Sequence, residues 1–97
     1  MKFSWDPRKA DSNLRKHGVA FDEAITVFSD PLAFIFDDLE HSVDEHREII
    51  IGYSTLRRIL LVCFVESMDD TIRLVSARHA TKQEINDYEK NARHKTS

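Results

Sequence analysis

Apolar positions recur along this chain with two different periods. Near the start, "KFSW" alternates, which puts Phe3 and Trp5 on one side of a short half-buried strand. "DPRKADSNLRKHG" then predicts a helix of about three turns. Asp6 is a suitable N-cap, Pro7 fits the first helical position and Gly18 fits a left-handed stop, with Ala10, Leu14 and His17 along one stripe. "FDEAITVF" spaces Phe21, Ala24, Ile25 and Phe28 as one apolar helix face, and "SDP" ends it, since the residue before proline avoids helical angles. "LAFIF" follows as a strand, set apart from later strands by "SDP" and "DDLEH". The most polar stretch, "DDLEHSVDEHRE", reads as a loop or hairpin connection.

"REIIIGY", "RILLVCFV" and "TIRLVSAR" are consecutive β-rich runs joined by the short connectors "STLR" and "ESMDD". Short connectors imply an antiparallel meander, because parallel neighbours need longer crossovers. "ILLVCFV" holds no polar residue, so it is the expected central strand, covered on both faces. Thr81 and Glu84 form a T-x-x-E capping box for a last helix with Ile85, Tyr88 and Ala92 in a narrow apolar stripe, and "RHKTS" reads as a frayed tail. The fold class is α+β, a small antiparallel sheet with packed helices.

Composition narrows this further. The chain has 97 residues, which suits a single domain over 1–97 with one modest core. A charged fraction of 32% and a net charge of -3 give a highly charged, slightly acidic surface. Nonspecific nucleic-acid binding runs on phosphate neutralisation, so any such function must rest on local clusters. Cys63, the only cysteine, lies in an apolar run and reads as a small core thiol. The N-terminus lacks the apolar stretch of a signal peptide, and no run approaches the roughly 18 apolar residues that span a bilayer. A cytoplasmic protein without membrane contact is expected.

Four clusters can carry chemistry. Arg78 and His79 end the last strand just before the helix N-cap at Thr81, where free N–H groups and an arginine make a credible phosphate site; a solvated strand end is the plain alternative. Strict alternation puts Ile72, Leu74, Ser76 and Arg78 on one face and Arg73, Val75, Ala77 and His79 on the other. Arg15, Lys16 and His17 crowd the first helix's last turn, either as dipole-compensating cations or as a rim for an RNA backbone. His41, Asp44, Glu45 and His46 sit in the polar stretch without the spacing of a metal site, so no metal or other cofactor is expected, and His41 or Glu45 suits acid–base work better. Arg57 and Arg58 mark a hairpin tip or the start of the central strand.

Taken together, "FSWDPRKADSNLRKHGVAFDEAITVFSDP", the "DD-x-x-H-x-x-x-E-x-R" segment and "IRLVSARHATKQEINDYE" resemble the BrnT family of bacterial toxins of type II toxin–antitoxin systems. The resemblance runs from Phe3 to about Glu89. It implies a RelE-like α+β fold, an RNA-cleaving activity that arrests translation, and a BrnA-like antitoxin with a ribbon-helix-helix part, through which alone the toxin meets DNA. Lys9, Asn13, Lys16, His17 and Gly18 match the family's first block, His41, Glu45 and Arg47 the middle, and Arg73, Ser76, Ala77, Arg78, Glu84 and Tyr88 the end. The family often has serine where this chain has Ala20, which cannot cap; Asp22 is the substitute expected one turn later.

The reading is a metal-independent endoribonuclease in which the sugar 2′-hydroxyl attacks the adjacent phosphorus. Arg78 is the expected phosphate contact, helped by Lys16 and Arg57. His17, His41, His79 and Tyr88 are the proton-transfer candidates, and Lys9, Arg15, Arg57 and Arg73 the RNA-backbone contacts. The rival is a non-enzymatic subunit that acts only as regulatory partner of a DNA-binding antitoxin.

Overall fold

The structure is a computed structural model that describes residues 1–42 and 45–96. Its elements run β1 (Lys2–Ser4), α1 (Pro7–His17), α2 (Phe21–Ala24), a 3-10 turn (Ile25–Ser29), β2 (Phe34–Asp37), β3 (Glu48–Tyr53), β4 (Ile59–Glu66), β5 (Thr71–His79) and α3 (Lys82–Thr96). The strands form one five-stranded sheet in the order β1-β5-β4-β3-β2. β2 to β5 are an antiparallel meander, with β4 in the centre as its apolar run predicts.

Two expectations about the sheet are corrected. β1 pairs with β5 in parallel, so the sheet is mixed. No hairpin sets the direction of strands so far apart in the chain. "LAFIF" is not isolated either, because β2 pairs with β3 from Phe34↔Ile51 to Asp37↔Glu48.

β4 splits the apolar residues between two cores. Leu60, Val62 and Phe64 meet Val19, Phe21, Ala24 and Val27 under α1, α2 and the 3-10 turn. Leu61 faces the other way and joins Ile51 and Tyr88, where α3 lies on the sheet. Asp30 ties α3 to the rest. It accepts the Tyr88 hydroxyl at 2.7 Å and the Tyr53 N–H at 2.8 Å. The approach requires Gly52, where a Cβ would stand 3.0 Å from the Asp30 carboxylate and 2.8 Å from the Ala33 Cβ.

The caps explain the helix boundaries. Asp6 accepts the Arg8 N–H at 2.9 Å, and Gly18 closes α1 at φ 69°. The buried stripe differs from the expected one: Leu14 is 50% exposed, and Asn13 takes the inward place. α2 is only one turn long before it tightens to 3-10 geometry, and Asp22 is no cap; Ala20 holds the N-cap position without a side-chain bond. The Thr81–Glu84 box forms, with the Thr81 N–H on Glu84 at 2.8 Å and the Glu84 N–H on the Thr81 hydroxyl at 3.2 Å. α3 continues to Thr96, through most of the tail expected to fray.

Ala20 has the extended backbone an N-cap needs, at φ -79° and ψ 145°. Ala20→Ser is therefore expected to stabilise the fold by about 1 kcal/mol through a bond to the Glu23 N–H. A rise in the urea midpoint would register it; an unchanged or lower midpoint would show that the site does not accept the cap.

Candidate active site

β1 ends opposite Arg73, which leaves the rest of β5's outer edge without a strand partner. α1 fills the gap through Asn13. Its amide donates to the Ala77 carbonyl at 2.8 Å and to the Val19 carbonyl at 2.9 Å, and its oxygen accepts the Ala77 N–H at 3.0 Å. One buried side chain thus imitates a neighbouring strand and fixes α1 against β5.

A bulge lies next to that clamp. Cys63 pairs with Ser76 and Phe64 with Leu74, so Val75 is the extra residue. The bulge resets the alternation. Ile72, Leu74 and Ala77 all face the larger core, whereas Val75, Ser76 and Arg78 line a hollow on the opposite face. The strict alternation expected for Ser76 and Arg78 is corrected accordingly.

Two hollows meet at this bulge. One, of about 260 Å³, is lined by Lys9, Ser12, Asn13, Lys16 and His17 of α1 together with Arg47, Val75 and Ser76. The other, of about 300 Å³, lies beneath the β2–β3 loop and includes Asp38, His41, Cys63 and Arg78, again with Arg47, Val75 and Ser76. They adjoin through the shared Arg47, Val75 and Ser76 and are together called the trough, with His17 lining the first and His41 the second. The His41 Nδ1 is 3.1 Å from both Asp38 oxygens, which orients the ring. Burial, with Asp38 beside it, pushes the Cys63 thiol up to about 11, so the thiolate is disfavoured.

Arg78 is anchored as well as exposed to the trough. Its two terminal nitrogens each meet a Glu84 oxygen at 2.9 Å, and one also donates to the His79 carbonyl at 3.1 Å. This bidentate bond is the main reason the Glu84 carboxyl is held below its usual range. Arg73 lies farther along β5, with Glu45 at 2.9 Å.

The other sequence candidates lie elsewhere. His79 turns to the opposite face, 3.4 Å from Arg58. There Arg58 bonds both oxygens of the buried Glu23 and holds that carboxyl down, with the Ser54 hydroxyl donating at 2.7 Å. Tyr88 is packed edge-on against Tyr53 at 5.6 Å between ring centroids, and burial and the Asp30 bond push its hydroxyl pKa upward, so it anchors α3 rather than lining the trough. Arg57 sits at the β3–β4 hairpin tip with φ 62°, and Arg15 is exposed on α1 outside the trough lining. His46 pairs with Asp37 at 2.7 Å, which raises its pKa. Asp44 lies outside the described residues, among which no three metal-ligating side chains group. Arg47 and Ser76, which match the family's motif blocks but carried no assigned role, also line the trough.

The fold is that of a small α+β domain with helices packed on a mixed five-stranded sheet. Residues 5–84 match the family model described as "Ribonuclease toxin, BrnT, of type II toxin-antitoxin system", and the chain belongs to that family. Among solved structures it is similar to the Brucella abortus ribonuclease toxin BrnT, with 26% identity and a TM-score of 0.65 over 84% of this chain and 99% of that one. No curated protein sequence matches the chain. The family match stops at Glu84, so most of α3 lies beyond it. Among the described residues, no helix is long and apolar enough to cross a membrane.

Proposed function

We propose that the trough is the active site of a metal-independent endoribonuclease that arrests translation in the cytoplasm. The observation that carries this reading is that two imidazoles, His17 and His41, line adjoining hollows that share Arg47, Val75 and Ser76. In the reaction, one imidazole takes the proton of the ribose 2′-hydroxyl as its oxygen bonds to phosphorus. The P–O5′ bond breaks as the other imidazole, protonated, gives its proton to the leaving oxygen. The products are a 2′,3′-cyclic phosphate and a 5′-hydroxyl. Lys9, Lys16 and Arg78 supply positive charge along the backbone path. A local cluster of this kind binds RNA despite the chain's net charge of -3. RelE-like architecture belongs to the same reading, with the meander as scaffold and helices on its faces.

Expression without the antitoxin tests it. Growth arrest with falling RNA integrity is expected. A chain that binds its antitoxin yet leaves RNA intact and growth unaffected is the regulatory subunit instead.

The antitoxin is proposed to be a ribbon-helix-helix protein that links the toxin to DNA. Its proposed seat is the open edge of β2, where Ile35 is 52% and Phe36 40% exposed, beside a groove of about 500 Å³ that runs between Phe34, Phe36 and α3. An exposed apolar edge strand is a ready template for another chain. Hydrogen exchange on free and complexed toxin should find new protection at residues 32–36. Protection confined to other segments would move the interface elsewhere.

A further inference from the structure

Arg47 stands where the two hollows meet, and the reaction as described gives it no task. It immediately precedes β3, and its backbone is locked. The N–H donates to the Ser42 hydroxyl oxygen at 3.1 Å, and the carbonyl accepts the Asp38 N–H at 2.9 Å and the Ser42 hydroxyl at 3.3 Å. The side chain is 29% exposed, yet its Nε is buried and has no hydrogen-bond partner among the described residues. The Glu45 Oε1 is 3.5 Å from that atom, an ion pair without hydrogen-bond geometry, and the other Glu45 oxygen is taken by Arg73. A buried charged donor left without an acceptor is costly, and in a native fold such an orphan marks a bound water, ion or ligand.

The surroundings select among these. Lys9, Lys16 and His17 line one side of Arg47, and His41 and Arg78 the other, together with Asp38 and Glu40. On the α1 side, which carries no carboxylate, the cations favour an anion over water. Arg78, the arginine that the motifs bring forward, has its fork engaged by Glu84. Arg47 offers a donor that no acceptor hydrogen-bonds among the described residues.

We propose that the part-exposed Arg47 guanidinium is the docking point for the scissile phosphodiester, between His17 and His41. The assignment rests on the ribonuclease reading for its substrate, but the anion site stands on the geometry alone. A phosphate held there has one imidazole on each side, as in-line displacement requires: one beside the entering 2′-oxygen, the other beside the leaving 5′-oxygen. A guanidinium suits the task better than an ammonium, because its planar fork matches two phosphate oxygens at once.

Arginine Nε–H signals in nitrogen-15 spectra report on this atom directly. The Arg47 signal is assigned by its loss in Arg47→Lys. Inorganic phosphate, and then an RNA strand with a single 2′-deoxy sugar at the cleavage point, are titrated into the wild-type protein. The expected result is a saturable shift of the Arg47 Nε–H with both probes. Arg47→Lys and Arg47→Gln should each lower kcat/KM on RNA by about a hundredfold while retaining the native circular dichroism spectrum. A signal that stays in place while other trough signals move overturns the proposal, as does wild-type cleavage by either folded variant. Should Arg47→Gln fail to fold, the wild-type titration decides alone. A saturable Arg47 shift in a protein that cuts no RNA upholds the anion site and overturns the ribonuclease reading of the trough.

Discussion

Replacing His17 and His41 together with alanine is expected to reduce RNA cleavage by about 10²-fold or more, since a positioned acid or base contributes about 10²–10⁴. The two side chains come from α1 and the β2–β3 loop, which are distant in sequence, and they flank one trough. Neither holds the core together: His41 is exposed and His17 half-buried at the end of α1. The loss should therefore appear in the rate and not in the denaturation midpoint. His79→Ala is the control, being on the opposite face beside Arg58, and should cleave at the wild-type rate. Equal activity in the double variant would remove the imidazoles from the mechanism.

The largest effect on stability is expected at Asn13. Its side chain is 6% exposed and makes three hydrogen bonds, to both backbone groups of Ala77 and to the Val19 carbonyl. Asn13→Ala strands those groups at a buried strand edge, so a loss of about 2–4 kcal/mol is expected. Asn13→Asp should be no better, since a carboxylate cannot donate to the two carbonyls. Urea unfolding measures the change. Because α1 also carries Lys9, Lys16 and His17, cleavage should fall even where the variant remains folded. A loss below about 0.5 kcal/mol would mean that water replaces the clamp at little cost.

Local chemistry made much of the fold legible in the sequence. Asp6, Pro7 and Gly18 bound α1 as their intrinsic preferences dictate, and Thr81 and Glu84 start α3. Short connectors and an unbroken apolar run sufficed for the meander and its centre. Contacts between distant segments were not legible. β1 joins β5 in parallel, and no periodicity within three residues can announce that. The β5 bulge was hidden for a similar reason: "TIRLVSARH" alternates well enough that the extra residue appears only in its pairing with β4. That one residue brings Ser76 and Arg78 to the trough.

The candidate site was legible in part. Lys9, Lys16 and His17 of α1 line one hollow, and His41 of the β2–β3 loop and Arg78 of β5 line the adjoining one. His79 and Tyr88 do not join them, because strand alternation turns the first away and the Asp30 bond ties the second into the sheet–helix core. Asn13 matches the family's first block, but its task as a clamp is legible only when Ala77 is seen beside it. Arg47 matches the family's middle block, but its role was not legible until its place between the hollows and the burial of its Nε were seen.

Cleavage in the trough is proposed to run by 2′-hydroxyl attack with no metal ion. End-group analysis of a short RNA treated with the purified chain in excess EDTA tests this. Fragments ending in a 2′,3′-cyclic phosphate opposite a 5′-hydroxyl are expected, formed at the same rate with or without chelator. Intact RNA, fragments bearing a 5′-phosphate, or cleavage that EDTA abolishes and added divalent metal restores would each contradict it.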